Sequence, residues 1–182
     1  MSFMRFLGGN ANAGAPAPER PGIAAETEAV RNIVARLESL PLEKARFLAG
    51  MAYVLARAAN ADMEITEVET QTIESVLVAS GLDESQAVLV AEMAKLQERT
   101  TGETSDYLVT REFRDESNEE QQLSLLRACF DVAAADGGIS AMESGTLDEI
   151  ANELDIDREQ ASAMRAEFAD KFTARLNYRP DA

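Results

Sequence analysis

Apolar side chains recur every three or four positions along most of the chain. One such series is Val30, Ile33, Val34 and Leu37, and this spacing places its members on one face of a helix. No run alternates between β-branched and polar residues, so the pattern predicts an all-α fold of about seven or eight helices. The predicted helices cover residues 25–39, 41–60, 67–80, 106–114 and 119–135, and three more begin at Asp83, Ser140 and Asp157.

Two stretches of the chain, Ala58–Glu69 and Val132–Glu143, repeat one pattern, and we call them the first corner and the second corner. In each, a helix rich in small apolar residues reaches an acidic turn, and a hydroxyl residue follows with Glu three positions later. A hydroxyl and a Glu at this spacing form a capping box, which begins a helix. Four pairs of residues align at an offset of 74 positions: Asp62 with Asp136, Ile65 with Ile139, Thr66 with Ser140, and Glu69 with Glu143.

The isoleucine in each corner directly precedes the capping hydroxyl residue. Ile65 and Ile139 are therefore predicted to act as hydrophobic staples, buried in equivalent surroundings. Gly137 and Gly138 permit a sharp chain reversal in the second corner, whereas the first corner must reverse without glycine. The repeat continues beyond the corners. It predicts two three-helix units, at about residues 43–99 and 119–174, that pack about a pseudo-twofold axis into one helical bundle.

The first 24 residues differ in composition from the rest. An apolar tip that contains Phe3, Phe6 and Leu7 precedes a segment rich in Ala, Pro and Gly at residues 10–22, as is typical of flexible linkers. We therefore expect a flexible N-terminal tail over residues 1–24 and an all-α domain over residues 25–176. Two interpretations of the tip remain open: it frays or folds back onto the domain, or it docks into a groove on a partner protein.

Composition narrows the range of functions. The chain is 46% hydrophobic with a formal net charge of -16, so it can bury a core, but its surface repels nucleic acid and anionic lipid. The lone Cys129 cannot form an intramolecular disulfide, and the absence of histidine removes the commonest general base and transition-metal ligand. No apolar run approaches the roughly 20 residues of a membrane-spanning helix. A cytoplasmic protein is the default expectation.

The acidic residues of the corners have two interpretations that the sequence leaves open. Carboxylate oxygens at such close spacing suit a hard cation, Ca²⁺ or Mg²⁺. Alternatively, the acids cap helix N-termini and complement the helix dipole. Neither corner is an EF-hand, which needs Gly at position six and Glu at position twelve. Counted from the first Asp, those positions hold Glu67 and Ile73 in one corner and Ala141 and Leu147 in the other.

The stretch AAADGGISAME at residues 133–143 resembles a motif of the tellurite-resistance TerB family, which is itself similar to the N-terminal domain of a membrane-anchored DnaJ-type co-chaperone. The first corner is a weaker copy, with Met63 and Glu64 where glycine is usual. The resemblance covers roughly residues 43–172. It implies an all-α fold of two related halves, a link to stress- or envelope-associated complexes, and a divalent-cation site. By position, the acids of that site are Asp62, Glu69, Asp136 and Glu143.

No motif in the chain indicates a catalytic centre, because there is neither a nucleophile beside a base nor a phosphate-binding loop. We therefore expect a non-enzymatic, TerB-like module without a cofactor. It docks a protein partner through its surface and its tail, with Phe3, Phe6 and Leu7 as the partner-binding residues. Two alternatives remain open, a divalent-cation sensor that uses the acidic corners and a metal-dependent enzyme.

Overall fold

A computed structural model describes residue 35, residues 38–100 and residues 103–172. Two compact units divide the chain, Met1–Ala45 and Arg46–Ala182. The described residues form an all-α fold, as the apolar spacing predicts, and no helix among them is both long and apolar enough to cross a membrane. The helices are α1 (Leu42–Ala59), a short 3-10 helix (Asn60–Asp62), α2 (Glu67–Ala79), α3 (Glu84–Thr100), α4 (Glu103–Glu116), α5 (Glu119–Ala133), α6 (Ala141–Glu153) and α7 (Arg158–Glu167).

The helix boundaries lie close to the predicted ones except around α4. The sequence predicted a shorter helix, residues 106–114, followed by a polar break, but α4 extends to Glu116. A capping box between Asn118 and Gln121 begins α5, so only two residues separate the helices and the break is shorter than its polar composition indicates. The predicted tail and most of the predicted helix at residues 25–39 lie outside the described residues.

The second half of α1 is buried on every side. Nine consecutive residues, Met51–Ala59, are all buried, and a helix enclosed in this way must have neighbours all around it. The apolar spacing predicts one broad buried face on this helix. It does not predict that Tyr53 and Arg57, which lie between the apolar positions, are enclosed as well.

Arg57 carries a charge into this enclosed stretch. Its guanidinium donates to both carboxylate oxygens of Glu153 and to Glu149 Oε2, at 3.0 Å, on α6, and also to Thr110 Oγ1, at 3.2 Å, on α4. Burial by itself lowers the pKa of Arg57, but the hydrogen bond and charge of Glu153 outweigh that effect, and the pKa is raised. A buried charge is tolerated when its donors are paired in this way. Arg57 therefore joins α1 to both α4 and α6.

Tyr53 adds a second bond between α1 and α4. Its hydroxyl donates to Asp106 Oδ1 at 2.7 Å. Tyr53 and Arg57 are one turn apart on α1, and their partners Asp106 and Thr110 are one turn apart on α4. Two bonds at matching helical spacing fix how the two helices are aligned along their length.

The internal repeat extends to the backbone dihedral angles. Among the described residues, positive φ angles occur at Met63 (71°), Gly81 (105°), Gly137 (122°) and Asp155 (59°). Met63 and Gly137 are 74 positions apart, and so are Gly81 and Asp155. Each copy thus makes a left-handed turn in its corner and another after the following helix, although an L side chain replaces glycine once in each copy.

The two corners differ in what covers them. Ile139 is 1% exposed, and its N–H donates to the Lys171 carbonyl at 2.8 Å, beside a bridge to Phe172. Ile65 is only partly buried, so the prediction of equivalent buried isoleucines is wrong for Ile65. The helices that follow explain the difference: α7 ends after 10 residues, which lets the chain return to the second corner, whereas α3 stays helical for 17.

We predict that Arg57→Met lowers the free energy of unfolding by about 3–5 kcal/mol, because it leaves the largely enclosed Glu153 carboxylate, 13% exposed, without its cation. Arg46→Met is the matched control on the same helix. The Arg46 side chain is 56% exposed and lies 3.5 Å from Glu116, and such surface pairs contribute less than about 1 kcal/mol. Urea unfolding followed by far-ultraviolet circular dichroism measures both changes. Equal losses in the two variants would contradict the role given to Arg57.

Candidate functional site

A capping box begins the helix that follows each corner. In the first corner, Thr66 Oγ1 accepts the Glu69 N–H at 3.3 Å, and Glu69 Oε2 accepts the Thr66 N–H at 2.7 Å. In the second corner, Ser140 and Glu143 exchange the same two bonds, at 3.2 and 2.7 Å. Each box satisfies backbone N–H groups that a helix N-terminus otherwise leaves without partners. The hydroxyl–glutamate pairs of the repeat are therefore structural caps in this fold.

The first aspartate of each corner bonds to its own turn. Asp62 Oδ1 accepts the Glu64 N–H at 3.1 Å, and Asp136 Oδ1 accepts the Gly138 N–H at 3.4 Å. A carboxylate that accepts from the backbone two residues further on is a common way to stabilise a tight turn. Both aspartates are exposed to solvent.

The tertiary structure brings the two corners together. The 3-10 helix of the first corner packs against α6, and α2 packs against α5. Glu69 and Glu143 are only 2% and 4% exposed. Burial raises the pKa of both, the bonds of the capping boxes offset part of that rise, and nearby carboxylates add to it. Those carboxylates belong to Glu143 and Asp136 at Glu69, and to Asp62 and Asp136 at Glu143.

The four acids predicted as metal ligands therefore share one region, but each already makes a bond there. No group of three acidic or thiol side chains among the described residues is placed to hold an ion. Glu69 and Glu143 direct an oxygen at a backbone N–H, as do Asp62 and Asp136. A cation would have to displace bonds that form the two corners.

Other residues that the sequence singled out lie elsewhere. Cys129 is completely buried on α5, and burial raises the pKa of its thiol to about 12. A protonated, enclosed thiol is a core side chain rather than a reactive group. Phe3, Phe6 and Leu7 lie outside the described residues.

Sequence patterns did not single out Tyr53, Arg57 or Glu98. The stretch MAYVLARAA at residues 51–59 does carry a signal in retrospect, because two polar side chains one turn apart interrupt an otherwise small and apolar helix. Glu98 carries no such signal, since Gln97 and Arg99 flank it. Burial raises the pKa of Glu98, a hydrogen bond from Asn60 offsets part of the rise, and Glu98 Oε2 is buried without a hydrogen-bond partner.

A groove of about 570 Å³ lies between α5 and α7. Leu123, Ala163 and Met164 contribute apolar surface to it, and Glu119, Glu120 and Glu167 are among its acidic residues. Arg127 in the same groove is paired with Glu167 at 2.8 Å. The groove therefore combines apolar contacts with net negative charge.

Replacing Glu69 and Glu143 together by Gln should flatten the dependence of stability on pH. Because the folded pKa of both groups is raised, the folded protein binds more protons than the unfolded chain between the two pKa values. The stability that these groups contribute to the wild type therefore rises as the pH falls through their raised folded pKa values toward the ordinary value of about 4.5. The variant loses that contribution but keeps its capping boxes, since Gln86 and Gln121 form such boxes in the same protein.

Thermal unfolding at a series of pH values tests this expectation. The control variant, Glu64→Gln with Glu67→Gln, removes two exposed charges from the same region and should leave the slope nearly unchanged. If the control flattens the profile as much as the Glu69 and Glu143 variant does, net charge rather than burial causes the effect.

Comparison with known proteins identifies the family. A family model described as tellurite resistance protein TerB matches residues 47–166, about two-thirds of the chain. No curated protein and no solved structure matches. The matched segment begins in α1, contains both corners and ends in α7, so it includes the repeat on which the resemblance depends. The chain therefore belongs to the TerB family.

Proposed function

We propose that this chain is a non-enzymatic helical module that binds a protein partner through its surface and its N-terminal tail. One observation carries the non-enzymatic part. The charged residues that are buried as a whole, among those described, are Arg57, Glu69 and Glu143, and all three make bonds that hold helices in place. Glu98, which has one buried oxygen without a partner, also bonds to Asn60. An enzyme needs at least one such group directed at a substrate-sized cavity, whereas these groups are committed to the fold.

The tail supports the binding part of the proposal. Phe3 and Leu7 are four positions apart, so they would share one face if the tip becomes helical on a partner. Residues 1–18 contain no acid, although the whole chain has a net charge of -16. An apolar tip on a linker rich in Ala, Pro and Gly can search a large volume before it binds. We place the module in the cytoplasm, as the binding part of a stress- or envelope-associated complex.

Replacing Phe3, Phe6 and Leu7 by Ala in the full chain should abolish capture of the partner from native lysate, because the variant removes the apolar contacts that anchor the tip. Deletion of residues 1–20 should have the same effect, while far-ultraviolet circular dichroism stays unchanged in both proteins. Asn10→Ser with Asn12→Ser, which alters only the linker, is the matched control. Capture that survives the deletion would overturn the role of the tail.

A divalent-cation sensor is the second candidate, favoured by the grouping of Asp62, Glu69, Asp136 and Glu143. Since binding would displace capping bonds, we expect any response only at about millimolar Ca²⁺ or Mg²⁺, the weak end of protein sites. Calorimetry or NMR during titration with either ion tests this candidate, with Asp136→Asn as the variant that should weaken the response. No response at millimolar metal, or one that Asp136→Asn leaves unchanged, removes the sensor from consideration.

A further inference from the structure

Met63 combines an unfavourable backbone conformation with an exposed side chain. Its φ angle is 71°, in the left-handed region, and 83% of its surface is exposed. The equivalent position of the second corner holds Gly137, with φ 122°, and glycine adopts this region without the strain that a Cβ introduces. Because the Met63 side chain is exposed, its packing contacts offset little of the free energy that this strain costs. The Met63 N–H ends the 3-10 helix by donating to the Asn60 carbonyl at 2.9 Å, but that bond requires no particular side chain. The exposed thioether at a strained position therefore points to a role outside the fold.

Two more exposed apolar residues lie within the corners. Val68 on α2 is 49% exposed and Met142 on α6 is 51% exposed, and they are equivalent positions of the repeat, 74 residues apart. The 3-10 helix that ends directly before Met63 packs against α6. Each of the three apolar residues is next in sequence to an acid of the corners: Asp62, Glu69 or Glu143. The charges of these acids interact across the two corners. We call Met63, Val68 and Met142 the corner patch.

The surroundings of the corner patch are acidic. Residues 58–94 and 128–157, which contain both corners with α2 and α6, include no Lys or Arg. Asp62, Glu64, Glu67 and Asp136 are exposed there.

Several cations approach the region from other elements. Lys95 is paired with Glu92 and bonded to Thr70, and Arg165 is paired with Asp148. Arg57 is paired with Glu149 and Glu153. These three charges are therefore already partnered, and the corner patch keeps an acidic border. Flexible methionines within a charged border are typical of surfaces that bind amphipathic segments.

We propose that the corner patch is the docking surface for a basic amphipathic helix of a protein partner. Its apolar face would contact Met63, Val68 and Met142, and its Lys or Arg side chains would meet the acids around them. The inference rests on the proposed binding function and adds the chemistry of the partner. A second copy of this chain is a poor occupant, because its equivalent surface carries the same negative charge.

A designed peptide tests the proposal on the full-length chain. The peptide is an amphipathic helix of about 18 residues, made of Leu and Lys with one Trp. Because the chain contains no Trp, selective Trp excitation reports only the peptide. We expect saturable binding that weakens as salt increases. A peptide with Glu in place of Lys, and one with the same residues scrambled so that no apolar face forms, should not bind.

Substitutions in the chain then locate the binding surface. Met63→Gly should weaken peptide binding about tenfold while the unfolding midpoint stays the same or rises, since glycine relieves the backbone strain. Met142→Ser should also weaken binding. The control Leu108→Ser, at a residue on α4 that is 59% exposed, should leave it unchanged. A merely structural role for Met63 predicts no loss of binding when the strain is relieved.

Several results would overturn the proposal. These are an absence of peptide binding, binding that Met63→Gly and Met142→Ser leave unchanged, and binding that only Leu123→Ser in the groove between α5 and α7 weakens. A change in sedimentation of the peptide-free chain on Met63→Gly would instead identify the patch as a contact between copies. The tail experiment is independent of this one. If the Met63→Gly variant binds the peptide as tightly as the wild type while the tail variant no longer captures its partner, the proposal for the corner patch is wrong and the proposed function stands.

Discussion

The structure depends on the buried guanidinium of Arg57, which belongs to the half of α1 that other helices enclose on all sides. Nine consecutive residues of α1 are buried, and Arg57 is one of them. An isolated charge in such a place costs more free energy than the surrounding apolar contacts supply. The guanidinium therefore requires carboxylate partners. Glu149 and Glu153 on α6 supply them, and Thr110 on α4 supplies a further acceptor. Apolar packing has no direction, so it allows many arrangements of helices around α1. The hydrogen bonds of Arg57 allow only arrangements that bring these partners within reach.

The repeat copies a local device but not its environment. Both corners have a left-handed turn, an aspartate that caps its own turn and a capping box, and all three depend on residues within a few positions of each other. What covers each corner depends on chain that is distant in sequence. Ile139 is covered by the segment after the short α7, while Ile65 remains half-covered because α3 continues as helix. Two copies of one sequence pattern can thus differ in stability and accessibility.

The acids of the corners are not required by capping alone. The boxes that begin α3 and α5 use Gln86 and Gln121 for the bond that Glu69 and Glu143 make at the corners. A neutral amide serves these helices equally well, so the burial of two carboxylates near two exposed aspartates adds a cost without improving the caps. The result is a concentrated negative potential beside exposed methionines. That combination supports the proposed recognition of a cationic partner.

The sequence alone determined the all-α class, most helix boundaries and the capping boxes of the two corners, because helical periodicity and caps depend on residues three or four positions apart. It also showed the 74-residue repeat and the acidic corners, and the family resemblance followed from those residues. Only the tertiary structure decided that Arg57 and Tyr53 are enclosed, that Ile65 and Ile139 differ, and that carboxylates from both corners share one region. Each of these facts requires contact between residues far apart in the chain, and no local pattern encodes which distant helix will cover a given face.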